Sequence, residues 1–121
     1  MARFNPFQQD ENALPPEKVQ ILDLHVEPWP DGKRVRVHIT LTPFQQPPDL
    51  ELTIFNDQKQ EVSHVTVVEN IDDKLVLTMH LRISEPQGTY RLEAIVRYTD
   101  FGNVTQGDFV FQIPAETEPE E

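Results

Sequence analysis

The sequence predicts an all-β chain, a seven-stranded antiparallel sandwich with Greek-key connections, and three observations carry that prediction. Apolar residues recur with a period of two and not 3.6. The 11 prolines leave 17–27, 31–42, 49–85 and 87–113 uninterrupted, as strands require. A length of 121 residues suits one core, whereas two would each be too small to close without staples.

The clearest strand is 34–41, where Val35, Val37, Ile39 and Leu41 alternate with Arg34, Arg36, His38 and Thr40. At 75–83, Leu75, Leu77, Met79, Leu81 and Ile83 form one face, with Val76, Thr78, His80 and Arg82 on the other. At 90–99, Tyr90, Leu92, Ala94, Val96 and Tyr98 share a face. Shorter strands are expected at 19–27, 50–56, 61–69 and 104–113. In 61–69 the pattern conflicts, since Val62 and Val68 argue for one face and Val65 and Val67 for the other; an edge strand of open register results. The polar, Pro/Glu-rich ends form a flexible arm (1–16) and an acidic tail (115–121) around a 17–114 body. The body alone is expected to melt within a few degrees of the full chain.

Short turns suggest pairings. Joining 19–27 to 34–41 across Pro28–Lys33, with paired numbers summing to 61, sets Val26 on Val35, Leu24 on Val37 and Leu22 on Ile39. Outward, the same register sets Glu27 on Arg34, His25 on Arg36 and Asp23 on His38. A sum of 203 across Asp100-Phe101-Gly102-Asn103 sets Ala94 on Phe109, Leu92 on Phe111 and Tyr90 on Ile113, with Gly102 in a left-handed turn position.

Composition excludes more than it names. A net charge of −11 argues against nucleic acid, because such affinity needs clustered Lys and Arg. More than half of that charge sits in residues 1–17 and 114–121, where it serves solubility. No apolar run is long enough to span a bilayer, so no membrane insertion is expected. No signal peptide is visible, which favours the cytoplasm if Met1 is the native start. There is no cysteine, hence no disulfide, thiolate zinc site or thiol nucleophile.

The stretch Glu85-Pro86-Gln87-Gly88-Thr89-Tyr90-Arg91-Leu92-Glu93-Ala94, followed by Asp100-Phe101-Gly102-Asn103, resembles the closing hairpin of immunoglobulin-like domains. It is most similar to the bacterial and fibronectin type III-like branches. The resemblance implies that Tyr90 is a tyrosine corner bonded to nearby backbone. Leu92 stands where antibody-type domains carry their second cysteine, and no tryptophan occurs on the third strand. The resemblance also implies that the first, second and fifth strands are neighbours. His25, His38 and His80 then point outward from one sheet, beside Arg34, Arg36 and Arg82.

That face reads as a solvated one balanced by Asp23 and Glu27. Its functional readings are a dock for an acidic partner, strengthened below neutral pH and weakened by salt, or a weak transition-metal site. Trp29, between Pro28 and Pro30, reads as a lid over the core or as an exposed stacking platform, paired with Phe44 from a neighbouring loop. Asp100, Asn103 and Asp108 at one end of the sandwich are a calcium reading, but ordinary turn capping explains Asp100 and Asn103 better. Pro-Phe-Gln-Gln at 6–9 and 43–46 reads as coincidence. Neither Ser63 nor Ser84 sits in an elbow motif, and Asp72-Asp73 reads as a turn.

The expected function is a non-catalytic binding or assembly module with a protein partner, self-association included, and with no cofactor and no metal assigned. A carbohydrate-binding module using Trp29 is the first alternative, and an enzyme of unrecognised type the second.

Overall fold

The structure, a computed structural model, describes residues 12–83 and 87–114. Seven strands form: β1 (Ile21–Pro28), β2 (Arg34–Leu41), β3 (Asp49–Phe55), β4 (Glu61–Val67), β5 (Lys74–His80), β6 (Gly88–Tyr98) and β7 (Gly102–Ile113). They build two antiparallel sheets, ordered β1-β2-β5 and β4-β3-β6-β7. The neighbour relation implied for the first, second and fifth strands is therefore present. In constant-type immunoglobulin domains the fourth strand lies beside the fifth; here β4 pairs with β3 instead.

Burial follows the alternation. Val35, Val37, Ile39 and Leu41 of β2 face Leu50, Leu52 and Ile54 of β3 and Leu92, Ala94 and Val96 of β6 in one core cluster, each at most 2% exposed. β2 and β3 carry the fully buried rows because each has a partner strand on both sides.

Both expected hairpin registers slip by two residues. In β1–β2 the paired numbers sum to 63 and not 61, so His25 faces His38, Val26 faces Val37 and Glu27 faces Arg36. A slip of two keeps every side chain on its face and changes only its partner. The cause is a tighter turn. Trp29 N–H donates to Arg34 O at 2.8 Å, and Gly32 N–H donates to Trp29 O at 2.9 Å. The loop closes around Pro30-Asp31-Gly32-Lys33, with proline second in the inner turn and Gly32 at φ 70°. Pro28 ends an edge strand, where its missing N–H breaks no ladder, so the strand runs one residue further than a proline boundary suggests.

The β6–β7 hairpin pairs at a sum of 201 and not 203, which sets Leu92 on Phe109, Tyr90 on Phe111 and Ala94 on Gly107. Phe101 N–H donates to Tyr98 O at 3.1 Å, and Gly102 follows at φ 73°, the left-handed position expected of it. At Gly107 a Cβ would lie 3.4 Å from Ile21 Cδ1 and 3.5 Å from Leu24 Cδ2, so the small Ala94–Gly107 pair lets β1 approach β7.

Two bulges explain the remaining departures. One between Ile21 and Asp23 turns Leu22, expected inward, out to 62% exposure, while Ile21 packs on the core. The other, between Ile54 and Phe55 on the β3 side, skips Val62 on β4. Consecutive Val62 and Ser63 are both buried, and Val65 and Val67 pack on the core behind them. The conflict in the 61–69 pattern is this extra residue. β4 is an edge strand, as expected.

Residues 1–11 of the expected arm, the 115–121 tail and the first Pro-Phe-Gln-Gln lie outside the described residues, as does Ser84. Residues 13–16 do not hang free. Leu14 bridges in parallel to Phe44, with Leu14 N–H on Pro43 O at 3.0 Å and Gln45 N–H on Leu14 O at 2.9 Å. Pro16 is buried in a 3₁₀ turn, Pro16–Lys18, and Val19 enters the core. A boundary at 16/17 cuts through packed chain.

At the end of the sandwich holding this bridge, Tyr98 O–H donates to Gln46 O at 2.9 Å. Burial pushes the Tyr98 hydroxyl up to about 12. Beside it a cleft of about 300 Å³ opens among Gln46, Asp49, Val68, Arg97 and Phe101.

Two predictions follow from the packing. Leu22→Ala should change unfolding free energy by no more than about 0.5 kcal/mol, whereas Leu52→Ala should cost about 2–5 kcal/mol, both read from urea midpoints. An equal cost at both positions contradicts the β1 bulge. Tyr98→Phe should cost about 1 kcal/mol for the lost hydrogen bond. Because the folded hydroxyl titrates above its unfolded value, wild type gains nothing with pH below 10 and loses stability as pH rises from 10 towards 12. Its advantage over Tyr98→Phe should shrink across that interval.

Candidate functional site

Trp29, His25, Arg34, Arg36, His38 and His80, named from sequence, lie on the β1–β2 hairpin and the outer face of the β1-β2-β5 sheet. Alternation forces them there: once the odd residues of β2 are buried, Arg34, Arg36 and His38 point away from the core. On β1 the outward set is Asp23, His25 and Glu27, and on β5 it includes Val76, Thr78 and His80.

The observed register makes His25 and His38 direct cross-strand partners. Their rings stack with centroids 4.3 Å apart and planes 10° apart. Each is tied to a carboxylate of β1. His25 Nδ1 lies 2.8 Å from Asp23 Oδ2, and His38 Nε2 lies 3.1 Å from Glu27 Oε1. Both histidines are partly exposed and the two carboxylates more so.

His80 shares the face but not the cluster. It pairs with Arg34, while His38 pairs with Val76, four residues away along β5, or about 13 Å at about 3.3 Å per residue. Arg82 departs further. It follows the end of β5, its N–H donates to Val62 O at 3.0 Å, and its guanidinium lies 3.9 Å from Glu61 of β4. Burial still alternates past His80, but the backbone passes to the other sheet there, Leu81 N–H donating to Lys33 O and Arg82 N–H to Val62 O, so Arg82 leaves the histidine face. The fourth histidine, His64, sits on the other sheet between Thr53 and Thr66.

Trp29 is neither part of the core nor packed against it, so the expected lid is not what forms. The Arg34 guanidinium lies 4.0 Å from the indole centroid and that of Arg36 lies 5.5 Å away. Such cation–π contacts contribute about 0.5–1 kcal/mol at exposed sites. Arg34 is further held by Asp31, which accepts from Arg34 Nε at 3.0 Å and from Lys33 N–H at 2.9 Å. The Lys33 amide, followed by Arg34, holds the Asp31 carboxyl below its ordinary value. Arg36 has no ion pair among the described residues. Glu27, Pro28, Trp29, Pro30 and Arg36 line a cleft of about 240 Å³.

Phe44 does not join Trp29. It lies in the connection after β2, and Trp29 in the one before it, so the eight residues of β2 separate them to opposite ends of the sandwich. That spacing is about 25 Å, too far for a shared sugar platform. Phe44 instead packs on the core beside Leu14.

Tyr90 is buried, and its ring stacks on Phe111 at 5.6 Å. Desolvation, then the charge of Asp57, raises its hydroxyl above the ordinary value. The upstream backbone that a tyrosine corner bonds, 84–86, lies outside the described residues. Asp108 faces Glu93 midway along β7, remote from Asp100 in the turn and Asn103 at the start of β7, so the three do not assemble a calcium site. Asp72 is a turn residue capped by Asn70, as expected. No described helix is long and apolar enough to cross a membrane.

Sequence reasoning missed two features. Glu27 as a partner of His38 requires the two-residue slip, although its shared face with His25 was visible in the i, i+2 spacing. The exposed Val68 and Phe101 at the far cleft give no clear periodic signal, because both lie in loops.

No protein-family model matches this chain, and no curated protein matches it. Solved structures do. A glycosyl hydrolase family 2 member from Bacteroides cellulosilyticus is similar at TM-score 0.57 and 13% identity, over 78% of this chain and 14% of that one. A Bifidobacterium dentium β-glucuronidase is similar at 0.55 and 12%, over 78% and 18%. A Ruminococcus gnavus β-glucuronidase is similar at 0.54 and 9%, over 79% and 16%. This chain thus spans less than a fifth of those proteins' length, and the likeness at such identity is one of fold: a small β-sandwich.

Proposed function

We propose that this chain is a non-catalytic recognition module of immunoglobulin-like, fibronectin type III-like type, docking an acidic protein segment on the Trp29–Arg36 cleft. The observation that supports this most is Arg36: a cation without a carboxylate partner among the described residues, beside a partly buried indole, on a chain of net charge −11. Aromatic and arginine side chains together are the usual anchors of interfaces. Arg34 is already engaged with Asp31 and serves to hold the ring.

A second reading is favoured by the same cleft. Glycan binding through Trp29 no longer has Phe44 as a second platform, but an acidic sugar could stack on the indole and pair with Arg36. Solved structures similar to this chain include a β-glucuronidase in complex with D-glucuronic acid, although fold likeness does not transfer a ligand.

One bait experiment tests the docking. Protein captured from the source organism's extract by the full chain should fall at least tenfold with Arg36→Glu or Trp29→Ala, and should elute as salt rises. Capture unchanged in both variants overturns the proposal. Saturable change of Trp29 fluorescence with D-glucuronic acid, lost in Arg36→Glu, would favour the glycan reading instead.

A further inference from the structure

We infer that His25, Glu27 and His38 form a divalent transition-metal site on the outer face of the β1–β2 hairpin. This goes beyond the docking proposal and does not depend on it. One ring nitrogen from each histidine and one Glu27 carboxylate oxygen all lie within 4.8 Å of one another. Glu27 Oε1 and His38 Nε2, at 3.1 Å, already have the spacing of two ligands on one ion. Tetrahedral zinc with bonds of about 2.0–2.1 Å sets its donors about 3.3 Å apart, so closing the set takes side-chain rotation and no backbone change.

The scaffold supplies the convergence. His25 and Glu27 are two apart on β1 and share a face, and His38 stands directly opposite His25 on β2. Asp23 is placed as an orienting group. Its carboxylate lies 2.8 Å from His25 Nδ1, a partner that leaves Nε2 as the nitrogen free to ligate. Two imidazoles and one carboxylate are a borderline donor set that suits zinc, copper or nickel. Calcium and magnesium would need more oxygen ligands than these residues supply. Partial exposure leaves room for water in the remaining coordination position.

The test uses the full chain without an affinity tag. Zinc is titrated by calorimetry, and copper(II) by the fluorescence of Trp29, the only tryptophan, two residues after Glu27 in the chain. Zinc should bind once per chain, and copper should quench saturably. His25→Gln, His38→Gln and Glu27→Gln should each weaken affinity at least tenfold, whereas His80→Gln and His64→Gln should change it less than twofold. Because the ion binds the folded chain, wild-type melting temperature should also rise in excess zinc, and that rise should vanish in the His25→Gln/His38→Gln pair. No saturable binding, or equal weakening by His80→Gln, overturns the site.

Discussion

The burial of Val35, Val37, Ile39 and Leu41 is the constraint from which the rest of this molecule follows. β2 is the middle strand of its sheet, and these four side chains are at most 2% exposed. Apolar burial contributes roughly 1.5–3 kcal/mol for each such side chain, so turning β2 over would forfeit the centre of the core. With the inward row held, the outward row is no longer free. Arg34, Arg36 and His38 must face solvent, and whatever pairs with them on β1 must face solvent too. The indole–guanidinium stack and the histidine pair are both products of this one alternation.

Partnership is a separate matter, and turns decide it. The β1–β2 hairpin closes by Trp29 N–H on Arg34 O and by a proline-led turn ending in Gly32 at positive φ. That closure sets His25 on His38. A hairpin two residues looser would keep the same core and set His25 on Arg36, with no imidazole pair at all. Side-chain partnership on this face therefore depends on a handful of backbone hydrogen bonds far more than on the core beneath it.

Strand positions and faces were legible because period two is a strong signal in 34–41, 75–83 and 90–99. Sheet membership of His25, His38 and His80 was legible through the immunoglobulin-like layout. Register was not, since slips of two leave every hydrophobic residue inward and only turn geometry tells them apart. Bulges were not legible either. Leu22 and Ile21 are both apolar, and nothing local says which of them the extra residue turns out. The pairing of Trp29 with Phe44 failed for a different reason. Adjacency of two loops in sequence order, across one strand, means opposite ends of a sandwich, because a strand of eight residues crosses it from end to end.

The direct measurement is the NMR contact map of the β1–β2 hairpin in the full chain. Rings stacked with centroids 4.3 Å apart should give strong nuclear Overhauser effects between the His25 and His38 imidazole protons. Cross-strand backbone effects should pair Val26 with Val37 and Glu27 with Arg36. Effects linking His25 to Arg36 and Val26 to Val35, with none between the two imidazoles, would contradict the register and with it the account of this face.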